Sequence, residues 1–478
     1  MLSLNDILTL LPELYLTGAV CMLLLIDVFL KQDQRWVTHW LAILVLAVTG
    51  WLVVSGQPAT PATAFGGMFV RDGVAEVLKV FALLCSGIVL VLSRPYMRDR
   101  ELHIGEFYTL ILFATLGIML LVSAGSLLMV YLGLELLTLS SYALVALNRD
   151  SSLSSEAAIK YFVLGALASG MLLYGMSMIY GATGTLDLGA IRAASATSAH
   201  PTLLLFGLVF LIVGIGFKFG AAPFHMWLPD VYQGAPTAVT TFIGSAPKLA
   251  AFGMAYRLLD SGMGGLVVHW QEMLAVLAVL SLAIGNIVAI AQKNLKRMLA
   301  YSTISHMGYL FLGLANGTPE GYAAAMFYAI CYALMATTSF GIILALARAG
   351  FEAEEIADLK GLNQRSPWFA GLMALAMFSL AGVPPLFGFF AKVLVLKAAI
   401  DAGMLWLAIV AIVAAIVGLY YYLHVVKVMY FDKPEGEPLS AQVDPSLRLV
   451  LSANALALLA LGLWWGPLLA WCQRAFAA

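Results

Sequence analysis

Four ionisable side chains interrupt stretches of the sequence that are otherwise apolar. Glu135 stands in LLMVYLGLELLTLSSY, Lys218 in GLVFLIVGIGFKFG, Lys248 in IGSAPKLAAF and Lys392 in LFGFFAKVLVLK. A charged side chain near the centre of a bilayer costs roughly 2.5–3.5 kcal/mol on insertion scales. Three lysines so placed cost on the order of 8–10 kcal/mol unless paired, hydrated or neutralised. That is comparable to the whole stability of many domains. One carboxylate cannot fully pair both Lys218 and Lys248, so at least one ammonium is expected to be desolvated and unpaired. Such a lysine can release its proton near neutral pH, and proton transfer is the chemistry these residues offer. A structural ion pair holding helices together is the bland alternative.

Two histidines fit the same chemistry. His225 lies in PFHMW and His306 in YSTISHMGYLF. Imidazole relays protons near neutral pH, although a lone histidine in a helix is as often a hydrogen-bonding packing residue. His424 is the weaker candidate. Ser302, Thr303, Ser305 and Tyr309 offer hydroxyls for a water chain, or ordinary glue between membrane helices. Glu106 and Lys160 stand where the fourth and sixth helices open, as anchors or as points of proton access.

The elements that must position these groups are membrane helices. Of 478 residues, 62% are hydrophobic and 11% charged, against about 25% charged in soluble domains; the mean hydropathy is +0.95. A spanning helix needs about 20 apolar residues. Charge-poor stretches predict fourteen, near 7–30, 38–56, 74–93, 106–123, 126–147, 160–181, 202–220 with a second piece to 232, 236–259, 271–291, 298–315, 321–347, 366–396, 403–426 and 449–473. The N-terminus lacks a basic stretch ahead of its apolar run and reads as a retained first span. The loops after odd-numbered helices carry 16 basic residues, in clusters such as Arg94, Arg98 and Arg100. The opposite side holds Arg71, Arg192, Arg257, Lys397 and Arg474. This asymmetry puts both termini outside the cytoplasm. Of 25 Lys and Arg residues, four remain: Lys79, Lys218, Lys248 and Lys392. Lys79, three residues after Glu76, reads as an interfacial or locally paired lysine.

A net charge of −1 argues against nucleic acid. The four cysteines, at 21, 85, 331 and 472, are scattered through apolar segments and make no local metal or iron–sulfur motif. No glycine-rich nucleotide or phosphate loop is present, so a nucleotide cofactor on this chain is not expected.

Helices 7 and 12 are over-long and contain Pro223 with Pro229, and Pro384 with Pro385. Proline removes a donor and clashes with the preceding turn, so both helices should be interrupted. In lipid such a break belongs where it lines protein or a wet cavity. The breaks lie five spans apart, an odd number, as expected of inverted repeats. The reading is therefore an all-α polytopic membrane protein with two inverted five-helix repeats. Its segments are 1–105, three extra helices; 106–260, the first repeat; 261–430, the second; and 431–478, a last helix. Aligning Pro223 with Pro385 puts Asp230, not Lys218, opposite Lys392.

The runs KFGAAPFHMWLPDVYQGAPTAVTTFIGSAPKLAAF, QKNLKRMLAYSTISHMGYL and GVPPLFGFFAKVLVLKAA resemble the antiporter-like membrane subunits of respiratory complex I, the proton-pumping NADH:quinone oxidoreductase. The WLPDVYQGAP stretch looks most like the subunit N type. The resemblance covers most of the chain and implies a bacterial inner-membrane translocase subunit; with the charge asymmetry, both termini are expected to be periplasmic. It implies proton translocation through Glu135, Lys218, Lys248 and Lys392. Glu135 and Lys218 would form a switchable ion pair, Lys248 would pass the proton laterally, and Lys392 would exchange it with the far side. It also implies that NADH, FMN, iron–sulfur clusters and quinone bind other subunits, with none on this chain. The partners implied are the other membrane subunits, the hydrophilic arm, lipid and protons. The same charges would also suit an Mrp-like cation/proton antiporter subunit or a structural membrane scaffold.

Overall fold

The computed structural model describes residues 3–31, 34–56, 60–100, 102, 105–348, 350–434 and 444–477. All fourteen expected spans are helical, but the last, expected to run to 473, ends at Leu463, and a separate helix, Trp465–Phe476, follows it. They are helix 1 (Leu11–Phe29), 2 (Arg35–Ser55), 3 (Gly73–Asp99), 4 (Gly105–Val122), 5 (Leu127–Val145), 6 (Ser152–Thr183) and 7, in two pieces (Pro201–Phe219 and Trp227–Gly234). Helix 8 is also in two pieces (Thr237–Ile243 and Ala246–Tyr256). Then follow 9 (Val267–Ile290), 10 (Leu295–Ala315), 11 (Pro319–Leu346), 12 (Pro367–Ala381 and Phe387–Asp401), 13 (Leu405–Phe431) and 14 (Pro445–Leu463). Among the described residues, eleven helices are long and apolar enough to cross a membrane. Helix 10, rich in polar residues, and the interrupted helices 8 and 12 complete the set. A short hairpin, Ala62–Ala64 against Phe69–Arg71, lies between helices 2 and 3.

Helix 11 is the axis of the bundle, with 94% of its apolar window buried. Helices 3, 8, 10, 12 and 14 pack around it. Helices 4 and 5 lie side by side, as do 9 and 10. Association in lipid relies on close packing, which small residues permit. A Cβ on Gly133 would stand 2.6 Å from the Leu121 nitrogen, and one on Gly285 2.5 Å from that of Ser305. The two helix pairs thus meet backbone to backbone in the same way.

Helix 8 departs from the expected unbroken span. It stops at Ile243 and restarts at Ala246, with Ser245 at φ −117° and ψ −90° between them. Pro247 has no N–H for the Ile243 carbonyl, four residues earlier. The Ser245 N–H turns to the Phe242 carbonyl at 3.0 Å, and its hydroxyl donates to the Thr241 carbonyl at 2.7 Å. Lys248 follows directly, so this third break places a charge. Helix 6 also starts earlier than its apolar run suggests, which puts Lys160 two turns inside it rather than at its opening.

Lys79 is not paired locally with Glu76. Glu76 is taken by Arg71 at 2.6 Å. Lys79 is fully buried and meets Glu13 of helix 1 at 2.7 Å, its ammonium 5.0 Å from the Phe69 ring centroid. Nearby, Asp72 caps helix 3 at the Ala75 N–H and receives both arms of Arg257, each at 2.7 Å. Burial alone would raise the Asp72 carboxyl, but the Arg257 guanidinium more than offsets that and holds it below the usual carboxylate range. These pairs tie helices 1, 3 and 8 together at one end of the bundle.

Stranding one member of a buried pair costs about 3–5 kcal/mol. Lys79→Met should therefore lower the stability of the purified chain by about that amount, and adding Glu13→Leu should recover most of it. A double-mutant cycle read by thermal unfolding in detergent checks this; simply additive losses would count against the pair.

Candidate functional site

The two proline breaks share one geometry. The first half of helix 7 ends at Phe219, Gly220 turns left-handed at φ +71°, and the Ala221 N–H returns to the Gly216 carbonyl at 2.8 Å. The first half of helix 12 ends at Ala381, Gly382 adopts φ +86°, and the Val383 N–H returns to Phe378 at 2.9 Å. Glycine is the residue that takes such a cap without a steric penalty. In a continuous helix the Phe219 carbonyl would accept from residue 223 and the Ala381 carbonyl from residue 385. Both positions are proline. Each break therefore takes the donor from that carbonyl, deep in the bundle, and in helix 12 Pro384 takes it from the Leu380 carbonyl too.

One lysine takes the Phe219 carbonyl and another the Ala381 carbonyl. The Lys248 Nζ donates to the Phe219 carbonyl at 2.9 Å, and the Lys392 Nζ to the Ala381 carbonyl at 2.8 Å. Lys248 is 1% exposed and Lys392 9%. A cation at a helix C-terminus also meets the negative end of the helix dipole. Each ammonium faces an aromatic ring: Lys248 lies 5.4 Å from the Trp227 centroid and Lys392 5.1 Å from that of Tyr309. The lysines reach equivalent carbonyls from different places, one from helix 8 and one from the second half of helix 12. The proline alignment paired Asp230 with Lys392 because the equivalence lies in the carbonyls and not in the charges. Asp230 itself is a clamp, accepting from Lys160 at 2.8 Å and from Arg297 at 2.7 Å.

Lys218 donates to the Thr138 hydroxyl of helix 5. Glu135 is one turn earlier on that helix, and its Oε1 is buried with no hydrogen-bond partner among the described residues. No ion pair or hydrogen bond joins Lys218 to Glu135 among the described residues.

A hydroxyl network joins helices 10, 11 and 13. His306 Nδ1 is 2.6 Å from the Tyr328 hydroxyl, and its Nε2 is 3.1 Å from that of Tyr422. Tyr422 also meets Ser302 at 2.5 Å, while Thr303 meets Tyr332 at 2.6 Å. The Tyr309 hydroxyl donates to the Ala411 carbonyl at 2.7 Å, which fixes the ring beneath Lys392. His225 stands apart on the first break, half-buried, its Nδ1 without a partner among the described residues. His424 is exposed and stacks on Tyr420. Sequence reasoning missed Tyr328, Tyr332, Tyr422 and Trp227, since a tyrosine or tryptophan in an apolar helix carries no mark of its partner.

Magnitudes separate these lysines from Lys79. Losing the donor to a buried carbonyl costs about 1–3 kcal/mol, and removing an ammonium from the membrane interior regains about 2.5–3.5. Lys248→Met should thus leave thermal stability close to that of the parent chain, in contrast to Lys79→Met. A loss in Lys248→Met as large as in Lys79→Met would contradict this.

The family described as NADH:quinone oxidoreductase/Mrp antiporter, TM matches residues 124–418, more than half of the chain. NADH-quinone oxidoreductase subunit N of Xanthomonas euvesicatoria pv. vesicatoria is 59% identical over 476 residues, covering 100% of this chain and 98% of the relative. The subunit N of Thiobacillus denitrificans is 53% identical over 476 residues, covering 99% and 98%. A chain of respiratory complex I from Thermus thermophilus with bound aureothin superposes with a TM-score of 0.84 at 35% identity, over 96% of this chain and 98% of that one. A chain of the Mrp complex from Dietzia sp. DQ12-45-1b shares the fold, with a TM-score of 0.86 at 23% identity over 99% and 97%. With these proline-broken helices and buried lysines, the chain belongs to the subunit N family of NADH-quinone oxidoreductase, a bacterial family of multi-pass membrane subunits.

Proposed function

We propose that this chain moves protons across the bacterial inner membrane as part of an NADH:quinone oxidoreductase, through Glu135, Lys218, Lys248 and Lys392. One observation carries the reading: Lys248 and Lys392 are held by backbone carbonyls orphaned by proline, not by carboxylates. A structural lysine is best served by a counter-ion, as Lys79 is by Glu13. An ammonium held by neutral dipoles can be discharged without stranding an opposite charge. Its neutral amine can still use its remaining N–H groups to serve the carbonyl.

In this reading Lys218 alternates between Thr138 and Glu135, and its position on Thr138 is one end of that switch. Its charge state biases Lys248, at the end of the same half-helix. His306, with a tyrosine on each ring nitrogen, links the region of Lys248 to Lys392 across helix 10. Lys392 then exchanges its proton with the far side. His225 is an accessory relay at the first break. The repeats are 106–260 and 261–430, preceded by the 1–105 segment and followed by 431–478. Both termini are periplasmic, which leaves the basic loops on the cytoplasmic side. NADH, FMN, iron–sulfur clusters and quinone are assigned to other subunits of the complex, where the redox chemistry takes place. The partners on this reading are the other membrane subunits and the hydrophilic arm.

The test uses the assembled complex in proteoliposomes. Glu135→Ala and Lys392→Ala should each assemble normally on blue-native gels and lose most proton transport per NADH oxidised. Unchanged transport per NADH in both variants would refute the reading. Loss of assembly in both would point to a scaffold. Sodium-dependent transport by the purified chain without redox partners would favour an Mrp-like activity.

A further inference from the structure

A cavity of ≈ 10 Å³ lies between helices 5, 6 and 7, lined by Thr138, Tyr142, Gly165, Ser169 and Lys218 together with apolar side chains. This is about the room that one water molecule occupies. A buried water also needs two to four polar partners, and the lining offers an ammonium and three hydroxyls. One of them stands out. Tyr142 is 8% exposed, and its hydroxyl has no hydrogen-bond partner among the described residues. A buried phenol usually finds a partner.

The hydroxyl is also fixed in place. A Cβ on Gly165 would stand 1.7 Å from it, so helix 6 has a slot that only glycine leaves open. The ring meets Tyr161 edge-on at 4.6 Å between centroids. Glu135, Thr138 and Tyr142 are spaced i, i+3 and i+7, which puts all three on one stripe of helix 5. Lys218 already engages the middle member of that stripe.

We infer that this cavity is a water site and that Tyr142 is a positioning residue for Lys218. The water accepts a hydrogen bond from the Lys218 ammonium and donates one to the Tyr142 oxygen. The bridge holds the ammonium on the Thr138 side of the stripe and opposes its move to Glu135. Tyr142 thereby sets the balance of the switch without itself taking the proton. The inference rests on the proposed alternation of Lys218 between Thr138 and Glu135.

A high-resolution cryo-EM map of the assembled complex, with and without Tyr142→Phe, tests it. The native map should show a water peak within hydrogen-bonding distance of Lys218 Nζ and the Tyr142 oxygen. In Tyr142→Phe that peak should be lost while the backbone stays in place, because the ring packing is retained. Proton transport in proteoliposomes should change roughly two- to tenfold, the factor carried by one neutral hydrogen bond. A native map with no peak there overturns the inference, as does a variant whose transport rate equals that of the parent. If the variant does not assemble, the native map still decides. The water is read from the map and the alternation from Glu135→Ala transport, so the two failures are distinguishable.

Discussion

A backbone carbonyl inside a membrane must find a donor, because lipid supplies none. The seats of two buried lysines follow from carbonyls that lose theirs. Pro223 and Pro385 remove the N–H groups that Phe219 and Ala381 would have used, and glycine caps turn the chain away from each helix end. The donors come from lysine side chains. The helix breaks thus do more than bend the chain: each makes a seat for one buried cation at the negative end of a half-helix.

This sorts the basic residues by their partners. Lys79, Arg257, Lys160 and Arg297 are held by carboxylates, on pairs that join helices 1, 3, 6, 7, 8 and 10. Lys218, Lys248 and Lys392 are held by a hydroxyl and two carbonyls. Ion pairs of the first kind lock elements together, because discharging one member leaves the other unpaired in a low dielectric. Contacts of the second kind survive the loss of a proton. The division follows helix chemistry closely, since both carbonyl seats lie where the backbone is irregular. The tyrosines around His306 join helices 11 and 13 to helix 10 in one polar network.

Much of this was legible in the sequence. The spans follow from apolar length, and charge in an apolar run is conspicuous because it is costly. The breaks in helices 7 and 12 announced themselves through proline and glycine in over-long segments. The break in helix 8 did not. Its single proline falls in the first turn of the second piece, a place that any helix start tolerates, so GSAP reads as ordinary helix. The partner of Lys79 was misread because spacing along one helix shows Glu76 but cannot show Glu13, which arrives from helix 1. The carbonyl partners of Lys248 and Lys392 have no sequence signature, since every residue has a carbonyl. The hydroxyls of Tyr328 and Tyr422 became partners of His306 only through packing.

On the proposed mechanism, Lys248 and Lys392 change protonation while their seats stay intact. Infrared difference spectra of the assembled complex, with 15N-lysine in this subunit, test it most directly when NADH is added. The account predicts lysine ammonium bands that shift with the isotope, one group absent in Lys248→Met and another absent in Lys392→Met. Spectra with no isotope-sensitive lysine band during turnover, from a complex that still pumps protons, would contradict it.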